Sequence, residues 1–300
     1  MQAGHRSLLW GLAGTVLMLT LFFLVALLLT VLLTGEEGIT DGGSKIGVIA
    51  IDGVISREVA ERTTRQLTKY VDDPSIKAVV LRIDSPGGGV ASSQEIYEEV
   101  KRVRSSGKLV VASLGSVAAS GGYYVACVAD RIFANAGTIT GSIGVIVQLA
   151  NAEELLRRVG IESTVITSGP FKDAGNPTRA LRPEERQVFQ GLIDDVYQQF
   201  VEAVSQGRNL SAGEVREAAD GRIYTGRQAR ALRLVDELGS FQDAISYAAS
   251  TSGIVGKPTL VQEDKERFWW LKFVFESLPG SFVWRPFLKA EAVLQYRWPY

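Results

Sequence analysis

Residues 78–114 read AVVLRIDSPGGGVASSQEIYEEVKRVRSSGKLVVASL. Two apolar runs, Ala78–Ile83 and Leu109–Leu114, bracket a stretch of helical periodicity. Each run is rich in β-branched or leucine residues with little polar alternation, the mark of a strand buried on both faces. Between them Ile96, Val100 and Val103 recur at steps of three and four and form one apolar helix face. Ser92 and Glu95 have the spacing of a capping box at its start. Strand, helix and strand in this order make a crossover unit with parallel strands. Working outward, Ile46–Ile51 predicts another strand and Val59–Tyr70 another helix. Further short strands are expected at Arg131–Ala134, Gly144–Gln148 and Ser163–Thr167. From Pro183, suited to a first helical turn, Phe189, Leu192, Ile193, Val196, Phe200 and Val204 form a long apolar stripe. Ser211 with Glu214 forms a second capping box, and Thr225 and Ser240 are candidate caps. The expected fold class is α/β with mainly parallel strands and a helical C-terminal part.

Composition narrows the chemistry. The chain has 32 Lys plus Arg against 33 Asp plus Glu, a formal charge of −1, which gives no support to nucleic acid as a partner. A single cysteine, Cys127, leaves no intramolecular disulfide and no cysteine-built zinc site. The single histidine, His5, lies at the far N-terminus, so a Ser-His-Asp triad, a Cys-His pair and a multi-histidine metal site are all excluded. No cofactor is implied.

Residues 8–33 carry no charge and are mostly Leu, Val and Phe. About 20 apolar residues span a bilayer core, whereas a cleaved signal has only about 7–15 and a small-residue cleavage site. The run therefore reads as an uncleaved signal-anchor, with a cleaved signal as the alternative and a buried core helix as a remote third. Arg6 precedes it, while Glu36, Glu37 and Asp41 follow before the first lysine, Lys45. The positive-inside rule then puts the N-terminus in the cytoplasm and the rest of the chain beyond the membrane. Residues 35–44 are glycine-rich and read as a linker. At the other end, Phe268 to Tyr300 is rich in aromatics broken by Lys272, Glu276, Pro279, Gly280 and Arg285. It suits either a membrane surface or packing on the domain or on a neighbouring subunit.

Three loops could carry chemistry. Gly115–Tyr124 (GSVAASGGYY) follows a strand and surrounds Ser120 with small residues, so a substrate backbone could approach its hydroxyl; the alternative is a serine cap on a closely packed helix. Asp84–Gly89 (DSPGGG) precedes a helix and could offer backbone N–H groups to an oxyanion, or be only a loop. Without an internal histidine, a general base must be Lys, Asp, Glu or an amine, and lysine is the usual partner of serine in such enzymes. The candidate is Lys172, in Ser168–Pro177 (SGPFKDAGNP); by itself it would be a solvated surface residue. A lysine base must be neutral, which desolvation favours and a nearby carboxylate opposes. Asp173 should therefore point away from Lys172 or pair elsewhere, with Arg179 or Arg182.

Taken together, GSVAASGGYY at 115–124, DSPGGG at 84–89, TGSIGV at 140–145 and SGPFKD at 168–173 closely resemble the bacterial signal peptide peptidase A (protease IV) family in its short form. The resemblance covers roughly Lys45 to Ser250. It implies Ser120 as nucleophile, Lys172 as general base and Ser142 as the residue orienting that lysine. It implies Gly121 and either Gly87 or Gly88 as oxyanion donors, the choice between the two glycines left open. The implied fold is the α/β superhelix shared with caseinolytic protease and crotonases, here preceded by one N-terminal transmembrane helix. The implied partners are cleaved signal peptides as substrates, the membrane, and further copies of the chain in a homo-oligomeric ring. The chain then divides into a cytoplasmic N-terminus (1–7), a transmembrane signal-anchor (8–34), a linker (35–44), a Ser-Lys peptidase domain (45–253) and an aromatic-rich extension (254–300). It would be a single-pass protein of the cytoplasmic membrane with its catalytic domain on the non-cytoplasmic side. Two other classes compete: an acyl-CoA binder or hydrolase on the crotonase scaffold, which needs no Ser-Lys pair, and a non-catalytic membrane scaffold.

Overall fold

The computed structural model describes residues 17–26, 44–262 and 295–297. The chain divides into two units, Met1–Gly43 and Ser44–Tyr300. In the first, residues 17–26 form a helix, α1, whose side chains stand exposed, among them Leu17, Met18, Phe22 and Phe23. The remainder of the expected anchor, 8–16 and 27–34, lies outside the described residues, as does most of the aromatic extension. Among the described residues no helix is long and apolar enough to cross a membrane.

The second unit opens with β1 (Lys45–Asp52), α2 (Arg57–Asp72), β2 (Ile76–Ser85), β3 (Gly87–Gly89), α3 (Val90–Ser105) and β4 (Leu109–Ala119). After β4 come α4 (Gly121–Ala126), β5 (Arg131–Ala134), β6 (Ile139–Gly141) and α5 (Glu153–Arg158). The rest comprises α6 (Pro183–Arg208), α7 (Ala212–Ala218), β7 (Ile223–Thr225), α8 (Gly226–Ala231), β8 (Glu237–Leu238), α9 (Phe241–Thr251), β9 (Thr259–Gln262) and β10 (Gln295–Arg297). The main sheet runs β7-β6-β4-β2-β1-β9, with β5 on β4 and β8 on β5. All of its pairings are parallel except β6 with β7.

Strand alternation feeds two cores. Ile49, Ile51, Val79, Leu81, Ile83, Val110 and Leu114 face one side, where Ile96, Val100 and Val103 of α3 meet them. Ile46, Val48, Ala78, Val80 and Val111 face the other, under Ala244, Ile245 and Ala248 of α9. The expected capping box at Ser211 forms, and the expected caps Thr225 and Ser240 each form a full box as well. The one at Ser92 does not. Helix α3 begins at Val90 with Gly89 as its N-cap, because β3 delivers the chain directly into the helix.

Two expected strands are absent. Ile146 alone makes a bridge within 144–148, and 163–167 has no regular structure. The strand of the first region lies earlier, at Ile139–Gly141, and ends where Gly141 and Ser142 take positive φ. A strand needs an edge to pair with. Residues 163–167 have none among the described residues, and Ile166 is left 94% exposed. The stripe of α6 is buried from Val196 to Val204, while in its first half Leu192 is exposed and Phe189 and Ile193 are half-buried.

Candidate active site

The two ends of β4 pair with different strands: Val111–Leu114 lies against β5, and Val117–Ala119 against β6. Between the pairs Ile83–Leu114 and Ser85–Ala118, β2 advances through Asp84 alone while β4 bulges through Gly115, Ser116 and Val117. The Asp84 carboxylate fills that bulge, accepting from the N–H groups of Ser116 (3.3 Å) and Val117 (3.1 Å). Gly115 is required there, since a Cβ would sit 2.7 Å from the Asp84 carboxyl carbon. Asp84 is thus a structural residue, and the bulge re-aims the end of β4.

That end delivers Ser120. Its backbone has φ 54° and ψ −119°, a conformation that costs a non-glycine residue on the order of 1–3 kcal/mol. Surrounding bonds hold it there: its N–H donates to Gly141 O (2.8 Å), and its carbonyl accepts from Tyr124 N–H (2.8 Å). Ser120 occupies the N-cap position of α4, yet its side chain caps nothing. Its hydroxyl makes no hydrogen bond among the described residues, and the residue is 1% exposed. A strained strand-to-helix turn that presents an uncommitted serine hydroxyl is the geometry of a nucleophile elbow. Glycines 121 and 122 let α4 come close behind it; a Cβ on Gly122 would stand 3.0 Å from Ser85 O. Cys127, at the far end of α4, is the wrong nucleophile: burial pushes its thiol up to about 12.

The DSPGGG loop becomes β3. Ile55 N–H donates to Gly87 O and Gly89 N–H to Ile55 O, both 2.9 Å. Gly87 N–H donates to Ser85 Oγ at 3.0 Å. The N–H and C=O of Gly88 therefore point to the edge away from Ile55. Ser142 follows β6 at φ 50°, 8% exposed, with its N–H on Arg222 O (2.8 Å). The anchoring strand pair β4–β6 thus keeps Ser120 and Ser142 at one end of the sheet.

Lys172 is not joined to them. Its side chain is exposed, and its Nζ makes no hydrogen bond or ion pair among the described residues. Its loop is nonetheless fixed from behind. Arg179 Nε donates to Asp173 Oδ2 (2.9 Å) and Arg179 Nη2 to Asp173 O (3.1 Å), while Arg182 donates to Pro170 O. Both arginines converge on Glu185, in the first turn of α6 and fully covered by them and their surroundings. Arg182 N–H also donates to Glu185 Oε2 (3.0 Å). Arg179 holds the Asp173 and Glu185 carboxyls below the usual carboxylate range. The expected diversion of Asp173 to Arg179 is present. Composition and motif give no signal for Glu185, although its place three residues after Arg182, across Pro183, is the spacing of an N-cap contact. Nor do they single out Ser85, which engages Gly87.

A profile of peptidase family S49 matches residues 102–254, and one of Clp proteases matches residues 42–139. The chain belongs to peptidase family S49. A putative protease of Synechocystis sp. is 48% identical to this S49 chain over 215 residues, 72% of the chain and 77% of that protein. A putative signal peptide peptidase SppA of Enterococcus faecium is 38% identical, over 70% of the chain and 65% of that protein. The chloroplastic serine protease SPPA of Arabidopsis thaliana is 33% identical, over 75% of the chain but 35% of that larger protein. This S49 chain is accordingly a serine peptidase with a Clp-protease-like α/β fold.

Proposed function

We propose that this chain is a membrane-anchored endopeptidase that degrades released signal peptides through an acyl-enzyme on Ser120, with Lys172 as general base. The observation that carries this reading is Ser120 itself, strained at φ 54° with its hydroxyl free of any cap bond. In the reaction, neutral Lys172 takes the Ser120 Oγ proton as Oγ attacks the scissile carbonyl. The amine leaves, and water then hydrolyses the ester. Ser142 orients the lysine. Of the two open glycines we assign Gly88, with Gly121, to the oxyanion, because Gly87 N–H is already engaged by Ser85 Oγ. Gly121 N–H, at the first position of α4, has no acceptor within the helix. Backbone donors fixed in this way stabilise charge as it develops, without reorganising.

Assembly with further copies completes the site in this proposal. Ile146, Leu155, Val159, Ile161, Ile166, Phe171 and Leu192 are all large, apolar and exposed, and all belong to the stretch that carries Lys172. Covering them in a homo-oligomeric ring removes water from the lysine and favours its neutral form. The exposed apolar side chains of α1 fit a single-pass anchor, with the peptidase domain beyond the membrane.

The test uses the full chain in detergent with a synthetic signal peptide, products being mapped by mass spectrometry. Internal cleavage that disappears in Ser120→Ala supports the proposal. A signal peptide left intact while unrelated soluble peptides are cut overturns the substrate assignment. Carbonate extraction and protease shaving from each side of sealed vesicles test the anchor and its orientation.

A further inference from the structure

The strand β10, Gln295–Arg297, pairs antiparallel with β3: Gln295 opposite Gly89, Tyr296 opposite Gly88 and Arg297 opposite Gly87. It also neighbours α3 and α4, the helix that begins directly after Ser120. Strand β3 has two edges. One is taken by Ile55, which bonds to Gly87 O and Gly89 N. The alternation of a strand then turns the N–H and C=O of Gly88 to the other edge, where β10 lies. The close hydrogen-bonded pair of this small sheet is therefore Gly88 with Tyr296.

We infer that the C-terminal strand is a tethered competitor for the edge of β3 on which a peptide substrate is held. An extended peptide adds to an open strand edge through backbone bonds, and any sequence can make them. Here the occupant is a segment of the chain itself. The inference rests on the oxyanion role given above to Gly88, whose N–H cannot serve Tyr296 O and a scissile carbonyl at once. Substrate must displace β10 before it reaches Ser120. A short strand makes few bonds, but tethering supplies an effective concentration on the order of millimolar, enough to compete with a peptide of similar intrinsic affinity.

Two variants of the full chain test this: deletion of 293–300, and Tyr296→Pro, which keeps the length but removes the N–H of the paired residue. Each should lower KM for a soluble peptide by about three- to tenfold and leave kcat unchanged. A synthetic peptide of residues 293–300 should inhibit the deleted enzyme competitively. Hydrogen exchange gives a readout independent of turnover. In a Ser120→Ala background the Gly88 amide should be protected in the full chain and exposed after deletion. Unchanged KM in both variants overturns the competitor role, and unchanged Gly88 exchange overturns the pairing. No hydrolysis by any variant, with Gly88 still protected only when the tail is present, refutes the peptidase reading and not the tail's occupancy.

Discussion

Replacing Gly88 with alanine tests the oxyanion segment without touching a side chain. A Cβ built on Gly88 would lie 2.2 Å from Ile55 O, 2.6 Å from Ile55 N and 2.7 Å from Ile55 C. Carbon and oxygen in weak contact ordinarily stand about 3.3 Å apart or more, so β3 must move by roughly 1 Å. Neither side can yield easily, since Ile55 is fully buried and doubly bonded to this strand. A displacement of that size at a catalytic centre costs on the order of 100-fold, or about 2.7 kcal/mol at 1.36 kcal/mol per tenfold. The overpacking itself destabilises the fold by about 1–3 kcal/mol. The assay is kcat/KM on a soluble peptide together with the rate of Ser120 acylation by a serine-reactive probe, at a temperature where circular dichroism shows the variant folded. Gly191→Ala is the control: it lies inside α6 with nothing within 4 Å of its Cβ, and should keep full activity with stability equal to or above wild type by up to about 1 kcal/mol. A folded Gly88→Ala enzyme within twofold of wild type would refute the assignment of β3 to the oxyanion.

Other outcomes follow from the same geometry. Lys172→Arg keeps the charge but cannot deprotonate in a protein, so it should be as inactive as Lys172→Ala in peptide hydrolysis; near-normal turnover would remove lysine as the base. In the proposed mechanism Ser142 orients Lys172 without reacting itself, so the kcat/KM of Ser142→Ala should fall by about tenfold or less; complete loss would make Ser142 itself a reacting group. The Asp173 and Glu185 carboxyls are held low in the folded chain, chiefly by Arg179. Their support of the Lys172 loop is complete above the ordinary carboxylate values of about 4 and fades as pH falls through the lower folded ones. Limited proteolysis of 168–177 should therefore quicken only in strong acid in wild type, and already at neutral pH in Glu185→Gln; equal rates in the two proteins would contradict the bracing role.

Local pattern carried the sequence reading furthest where one segment determines its own structure. The crossover unit at 78–114, the strand Arg131–Ala134, the box at Ser211 and the caps at Thr225 and Ser240 all depend on residues close in sequence. The misses depend on distant partners. Ser163–Thr167 has strand composition but no edge to join among the described residues. The start of α3 moved to Val90 because β3 pairs with Ile55, far back in sequence. For the site, small residues around Ser120 were visible, but the bulge that aims it is produced by Asp84 on another strand. The proposed choice of Gly88 over Gly87 could not be read from a run of identical glycines; it rests on the Ser85 hydroxyl, which engages Gly87 N–H. The pairing of Gln295–Arg297 with β3 joins segments about 200 residues apart and leaves no local trace.

The most direct test of the central claim is intact-mass and peptide-level analysis of the purified full chain after treatment with a serine-reactive acylating probe. A single adduct is expected, on the peptide that contains Ser120, formed in step with loss of hydrolysis and absent from a folded Ser120→Ala protein that no longer cleaves. An adduct on another serine, or substantial hydrolysis by folded Ser120→Ala, would contradict it.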